Sequence, residues 1–309
     1  MSELLEIREN LRNFYSKYEV YLIPLFKFIL ALTALLFING SLGYNSRMNN
    51  PVIVLIIALM CSFLPVNFIV VLSAVFVVLH MYALAAECAI VTGVLFLLLF
   101  LMYFRFSPKD TLVVLLLPLA FVLKLPYVVV LGVGLLGTPV SVVSVGCGVI
   151  AYYMIYYIQT NAPIIISLDG DNAVAKLHYI VDGMLNNKEM FVTMAAFVVT
   201  VILVYLIRRL SVDHAWTISM IVGSVTCVVL LLLGDLMFEV NSSIAAMLIG
   251  AVVSFLLAKV LEFFAFNVDY TRTEYVQFED DEYYYYVKAI PKNSLKKAKK
   301  TVKKITSVL

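Results

Sequence analysis

Pro51-Val-Ile-Val-Leu-Ile-Ile-Ala-Leu-Met-Cys-Ser-Phe-Leu-Pro-Val-Asn67 and Thr111-Leu-Val-Val-Leu-Leu-Leu-Pro-Leu-Ala-Phe-Val-Leu-Lys-Leu-Pro-Tyr127 decide the fold. Each is an apolar run of about thirteen residues that stops at a Leu-Pro. Such a run rises only about 20 Å as a helix, short of the roughly 30 Å hydrocarbon core of a bilayer. After each break the chain turns apolar again, to Leu84 in one case and to Thr138-Pro139 in the other. A longer apolar span then follows, Cys88–Phe104 and then up to Ile158. The region 51–158 therefore reads as one unit written twice, with Pro65 and Pro126 at matching places. The two hairpins are either re-entrant or pairs of short spans.

The rest of the chain agrees with a membrane setting. It is 63% hydrophobic and 14% charged, with mean hydropathy +1.01, whereas soluble domains are about half apolar. The runs do not alternate, which excludes a transmembrane barrel. The expected fold is an all-α polytopic membrane protein: six full spans plus two proline-broken hairpins, or ten spans if the short arms each count. A domain at 20–266 carries the spans, and 159–190 forms its one sizeable segment outside them. In that segment Pro163–Ile166 reads as extended, Asp169-Gly-Asp171 as a turn without a calcium ligand pattern, and Ala173–Leu185 as an amphipathic helix. Its apolar face would be Val174, Leu177, Ile180 and Val181.

Residues 1–19 carry Leu4, Ile7, Leu11, Phe14 and Tyr18 at helical spacing, an amphipathic helix suited to a membrane surface or a partner. The first span should start near Tyr21, with Lys27 reaching the headgroups. Lys and Arg collect at the N-terminus, at Arg105 and Lys109, at Arg208-Arg209 and in the tail. The positive-inside rule puts all four, and both termini, in the cytoplasm, and 159–190 outside. With that parity the two hairpins enter from opposite sides, as an inverted repeat would.

The tail, 267–309, changes character. Residues 269–290 read as strand, acidic turn, strand. Residues 294–309 read as an amphipathic helix ringed by Lys296, Lys297, Lys299, Lys300, Lys303 and Lys304, a pattern expected to bind anionic inner-leaflet lipids. The sequence from Phe266-Asn-Val-Asp-Tyr-Thr-Arg-Thr-Glu-Tyr-Val-Gln-Phe to Tyr-Tyr-Tyr-Tyr-Val-Lys-Ala-Ile-Pro-Lys292, with Tyr205-Leu-Ile-Arg-Arg-Leu and Gly234-Asp235 upstream, resembles the closing signature of a family of bacterial multi-pass membrane proteins. No activity is established for that family. The resemblance covers about the last third of the chain and implies a bacterial plasma membrane.

No nucleotide loop, metalloprotease helix or nucleophile elbow occurs. The three histidines and four cysteines lack ligand spacing. No catalytic, cofactor or metal set is expected, nor a nucleic-acid partner. Polar residues inside apolar runs are the better clue, because burying them is costly. These are Asn67, His80, Glu87 and Lys124 in the doubled unit, with Asp235 and Glu239 near one mouth. Each also suits a plain packing or interfacial role. Lys124 stands out because it sits at a proline break. Gly132-Val-Gly134 and Gly146-Cys-Gly148 read as close helix packing. Ser242, Ala246, Gly250, Ser254 and Ala258, four apart, form a seam for an intrachain neighbour or for a homo-oligomer or partner protein.

Two functions fit. One is a transporter or channel-like permease whose site lies where the breaks meet, with Asn67 and Lys124 facing one polar cavity. The alternative is a non-catalytic scaffold recruiting partners through its tail and external helix, with an apolar, packed centre.

Overall fold

In the computed structural model, residues 2–167, 173–238, 243–265, 274–279 and 284–289 are described. The protein is an all-α polytopic membrane protein. The chain divides into two compact units, Val20–Phe263 and a second made of Met1–Glu19 with Phe264–Leu309.

Eleven α-helices lie among the described residues. Seven stretches are long and apolar enough to cross a membrane. They contain α1 (Ser2–Ser41), α3 (Val66–Leu84), α4 (Ala86–Phe106), α7 (Val142–Ser167), α9 (Lys188–Arg208), α10 (Ala215–Phe238) and α11 (Ile244–Ala265). Shorter are α2 (Pro51–Phe63), α5 (Thr111–Val122) and α6 (Pro126–Leu136), and α8 (Ala173–Leu185) precedes α9. The seventh long helix is α3, so the second arm of the first hairpin is full length rather than short. Nineteen residues rise about 28 Å, close to the hydrocarbon thickness.

Two further expectations change. α1 is one continuous helix of 40 residues, not a surface helix followed by a separate span. Between Glu19 and Tyr21 no Gly or Pro interrupts it, and Pro24 lies inside it. α7 likewise runs through Pro163 to Ser167, so Pro163–Ile166 is helical, not extended.

α7 organises the bundle because two faces of it are buried in different cores. Cys147, Met154, Ile158 and Ile165 pack with Leu35, Phe76, Met81, Phe96 and Leu99. Val145, Val149 and Tyr153 pack with Leu117, Val130, Phe197 and Val201. The expected glycine packing appears here. A Cβ on Gly148 would lie 3.0 Å from Leu117 Cβ, and one on Gly134 would lie 2.6 Å from Val204 Cβ. In the small-residue seam of α11, Gly250, Ser254 and Ala258 are buried within this chain, while Ala246 is exposed. Tyr127 on α6 closes over Gly250. Ser242 lies outside the described residues.

α8 packs on α4 and α7, but with a different face from the expected one. Lys176, Ile180 and Met184 are buried, whereas Val174 is 63% exposed. Its rotation is set by Tyr157, whose ring lies against Gly183 and whose hydroxyl donates to the Tyr179 carbonyl. Asp182 is exposed, and all four native cysteines are buried. A Cys at 182 is therefore the reporter of sidedness. If the basic clusters face the cytoplasm, Asp182→Cys should react with an impermeant maleimide in intact cells. Reaction only after permeabilisation would reverse the assigned orientation.

In the second unit, β1 (Glu274–Glu279) pairs antiparallel with β2 (Tyr284–Ala289), with Glu274 opposite Ala289 and Phe278 opposite Tyr285. The acidic turn and the lysine-rich segment 294–309, with Lys296, Lys297, Lys299, Lys300, Lys303 and Lys304, lie outside the described residues.

Candidate functional site

The two Leu-Pro breaks fold differently. At the first, Pro65 lacks an N–H and the last carbonyls of α2 lose intrahelical donors. Lys27 supplies one, its Nζ donating to the Leu64 carbonyl at 3.1 Å. Ser62 Oγ donates to the Pro24 carbonyl at 2.9 Å. Pro65 itself is exposed. Next to it, Asn67 Oδ1 accepts from the hydroxyls of Tyr103 and Thr111, and these two hydroxyls lie 2.5 Å apart. Tyr103 also reaches the Pro108 carbonyl. Asn67 therefore ties the start of α3 to the end of α4 and the start of α5. The first break is a turn at the end of the bundle that carries Arg105 and Lys109, and Asn67 is a structural acceptor there.

His80 is also structural. It is fully buried, and its Nδ1 accepts from the Asn45 amide at 3.2 Å. Nε2 must then carry the proton, which it donates to Asn39 Oδ1 at 2.7 Å. Asn39 Nδ2 in turn donates to the Met48 carbonyl, so His80 fastens the 42–50 loop to α1 and α3. Glu87 lies in the first turn of α4, where a carboxylate suits the helix dipole.

The second break is a different object. α5 has 12 residues and α6 has 11, so the hairpin rises only about 18 Å before it turns back. Its tip is closed by its own backbone. Leu125 N–H donates to the Ala120 carbonyl and Lys124 N–H to the Phe121 carbonyl, the two bonds of a Schellman turn. Lys124 occupies the left-handed position of that turn, at φ 59°, where glycine is the usual residue because a Cβ is disfavoured. Among the described residues, no side chain is hydrogen-bonded or ion-paired to its Nζ.

Past the tip, Pro126 and Tyr127 are buried. Tyr127 meets the Phe197 ring edge-on at 6.1 Å, nine residues into α9, so α6 begins well below the end of that helix. The space above it is a cavity of about 460 Å³. Lys124, Tyr152, Tyr153, Tyr156, Glu189 and Thr193 line it, together with Asp235 and the start of α11. Tyr153 hydroxyl lies 3.2 Å from Glu189 Oε1 and 3.0 Å from Thr193 Oγ1. If Tyr153 donates to Glu189, Thr193 donates to Tyr153, giving a short chain that ends on a carboxylate. Phe121 stacks on Tyr152 at 4.3 Å with planes 7° apart, and Tyr152 stacks on Tyr156. An ammonium and two carboxylates thus face one pocket beside a column of three rings. Such a site can hold a small molecule that carries both signs of charge.

Lys124 and Pro126 belong to this pocket. Asn67, Pro65 and His80 do not line it; His80 is closed off between Asn39 and Asn45, and Asn67 is level with Thr111, the first residue of α5, while Lys124 lies beyond its last. Some 18 Å of helix separates them, so the two breaks share no cavity. Sequence reasoning also missed Tyr153, Glu189 and Thr193. The available signal was the pair of double tyrosines, Tyr152-Tyr153 and Tyr156-Tyr157, inside an otherwise apolar span. Glu239 lies outside the described residues. No family model matches the chain, and neither the curated proteins nor the solved structures contain a match to it.

Proposed function

We propose that this chain is a small-molecule permease of the bacterial plasma membrane, with its site at the tip of the α5–α6 hairpin rather than between two opposed hairpins. The reading rests on one observation, the cavity of about 460 Å³ around Lys124, which is within the size range of small-molecule sites. A packed scaffold has no use for an ammonium held at a left-handed position over such a space. Broken helices that line a polar cavity inside a membrane are where transporters hold their cargo. By the positive-inside rule the arginine-bearing end faces the cytoplasm, so the pocket opens outward.

The scaffold alternative draws on the first hairpin, whose break is closed by hydrogen bonds from Lys27 and Ser62 and, at Asn67, from Tyr103 and Thr111. The two readings separate on access to the pocket. Lys124→Cys should react with a water-soluble, impermeant thiol reagent both in intact cells and in inside-out vesicles, because a permease must open to each side in turn. Glu189→Cys, on an exposed residue at the mouth, should react only from outside. Modification of Lys124→Cys from one side alone, or from neither, would remove the permease reading.

A further inference from the structure

The walls of the Lys124 pocket differ in chemistry, and three of them bear on what it takes. The first is positive. The Lys124 carbonyl lies 3.5 Å from the Cβ position of Gly250, which sets the hairpin tip against α11. Nearer the N-terminus of that helix, Ser243 and Ala246 line the same pocket, so the positive end of the helix dipole adds to the ammonium. The second wall is negative. Tyr153, braced by Thr193, holds Oε1 of Glu189 and leaves Oε2 for a ligand. The third is apolar: Tyr127, Phe197, Leu231 and Met247 line the pocket and belong to the buried core below it. The aromatic column adds no open box of ring faces. Phe121 and Tyr152 lie face to face at 4.3 Å, and Tyr152 stacks on Tyr156 in turn, so the rings cover one another.

We propose that this one pocket binds a single α-amino acid with a large apolar side chain. Its carboxylate lies between Lys124 and the start of α11, its ammonium against Glu189, and its side chain on the apolar floor. Each part answers a specific wall. Lys124, whose Nζ has no partner among the described residues, supplies the charge that a carboxylate requires. A primary ammonium brings N–H donors to Glu189, whereas a methylated one brings none and needs the aromatic box that the stacked rings do not provide. An apolar side chain on the floor extends a core that is already packed, and gains by leaving water. A side-chain carboxylate would instead face Glu189 and Asp235, which both line the pocket. A space of about 460 Å³ has room for the side chain as well as for the two charged groups. The inference rests on the permease reading for the purpose of the site, and it names the cargo.

The test is ligand-induced stabilisation of the full chain in a neutral detergent, read as the shift in the temperature of half-unfolding against ligand concentration. Leucine should raise it in a saturable way. Three relatives of leucine should each bind at least tenfold more weakly: glycine, which loses the side chain; leucinamide, which loses the carboxylate; and 4-methylpentanoate, which loses the ammonium. Glutamate should bind more weakly than leucine as well. Lys124→Gly should fold as well as the parent, because glycine suits φ 59°. It should lose most of the response to leucine and keep the weak response to leucinamide. Glu189→Gln should weaken leucine and leave 4-methylpentanoate unchanged. No response to leucine, an unchanged response in either variant, or any of the three relatives binding as tightly as leucine would overturn the proposal. Two-sided access at Lys124→Cys without leucine binding would leave a permease for another cargo. Leucine binding with one-sided access would leave an amino-acid receptor, so the two readings fail separately.

Discussion

Replacing His80 by alanine should cost about 2–4 kcal/mol of stability, enough to drop the temperature of half-unfolding by several degrees in detergent. Two terms add. The substitution empties the space of a fully buried imidazole, and it strips partners from the Asn45 amide and from Asn39 Oδ1. Because both partners hold the 42–50 loop, the effect should have a local signature as well. Amide hydrogen exchange in that loop should quicken more than exchange in α9 or α10. An H80A protein with unchanged melting and unchanged loop exchange would show that the side chain holds nothing together.

The other large effect is expected where α6, α9 and α10 meet. Val204, fully buried in α9, is pressed between two glycines. A Cβ on Gly134 of α6 would lie 2.6 Å from its Cβ, and one on Gly223 of α10 would lie 2.2 Å from its Cγ2. Gly223→Ala should therefore destabilise by about 1–3 kcal/mol through overpacking, although alanine is the better helix former. Val204→Ala alone should also destabilise, by opening a cavity. The double variant should lose less than the sum, because removing Cγ2 makes room for the new methyl. A favourable coupling of about 1 kcal/mol or more is expected. Strict additivity would mean that the helices separate at this point without cost. Gly93→Ala is the control: nothing lies within 4 Å of its Cβ position, so it should be neutral or slightly stabilising.

Much of this architecture was legible in the sequence because length and apolarity are one-dimensional properties. Spans, the short arms of the α5–α6 hairpin, the α8 boundaries and the two strands all follow from runs and breakers. What failed was whatever depends on a neighbour. Leu64-Pro65 and Leu125-Pro126 look alike in sequence, yet one is sealed by Lys27, thirty-seven positions away, and the other opens onto a cavity. Asn67 and His80 were singled out for being polar in apolar surroundings, a property that a structural hydrogen bond satisfies as well as a ligand does. The rotation of α8 hinged on the ring of Tyr157 against Gly183, a contact no periodicity encodes. Lys124 was found because it sits on the breaker itself, and Tyr153, Glu189 and Thr193 were missed because they come from two other helices.

The α5–α6 hairpin has a consequence for how the chain threads the membrane. It leaves from Thr111 and returns at Gly137, whose carbonyl accepts from Arg208 at 2.6 Å, while Thr111 is tied to Tyr103 at the end of α4. Arg105 and Arg208 mark the same end of the bundle, so the hairpin begins and finishes on one side. It is topologically silent: excising it would leave α4 and α7 through α11 crossing in the same sense. A segment with that property can lengthen, shorten or exchange its tip residues without inverting anything downstream. The hairpin tip, which places Lys124 in the wall of the pocket, can thus vary without altering the orientation of any span.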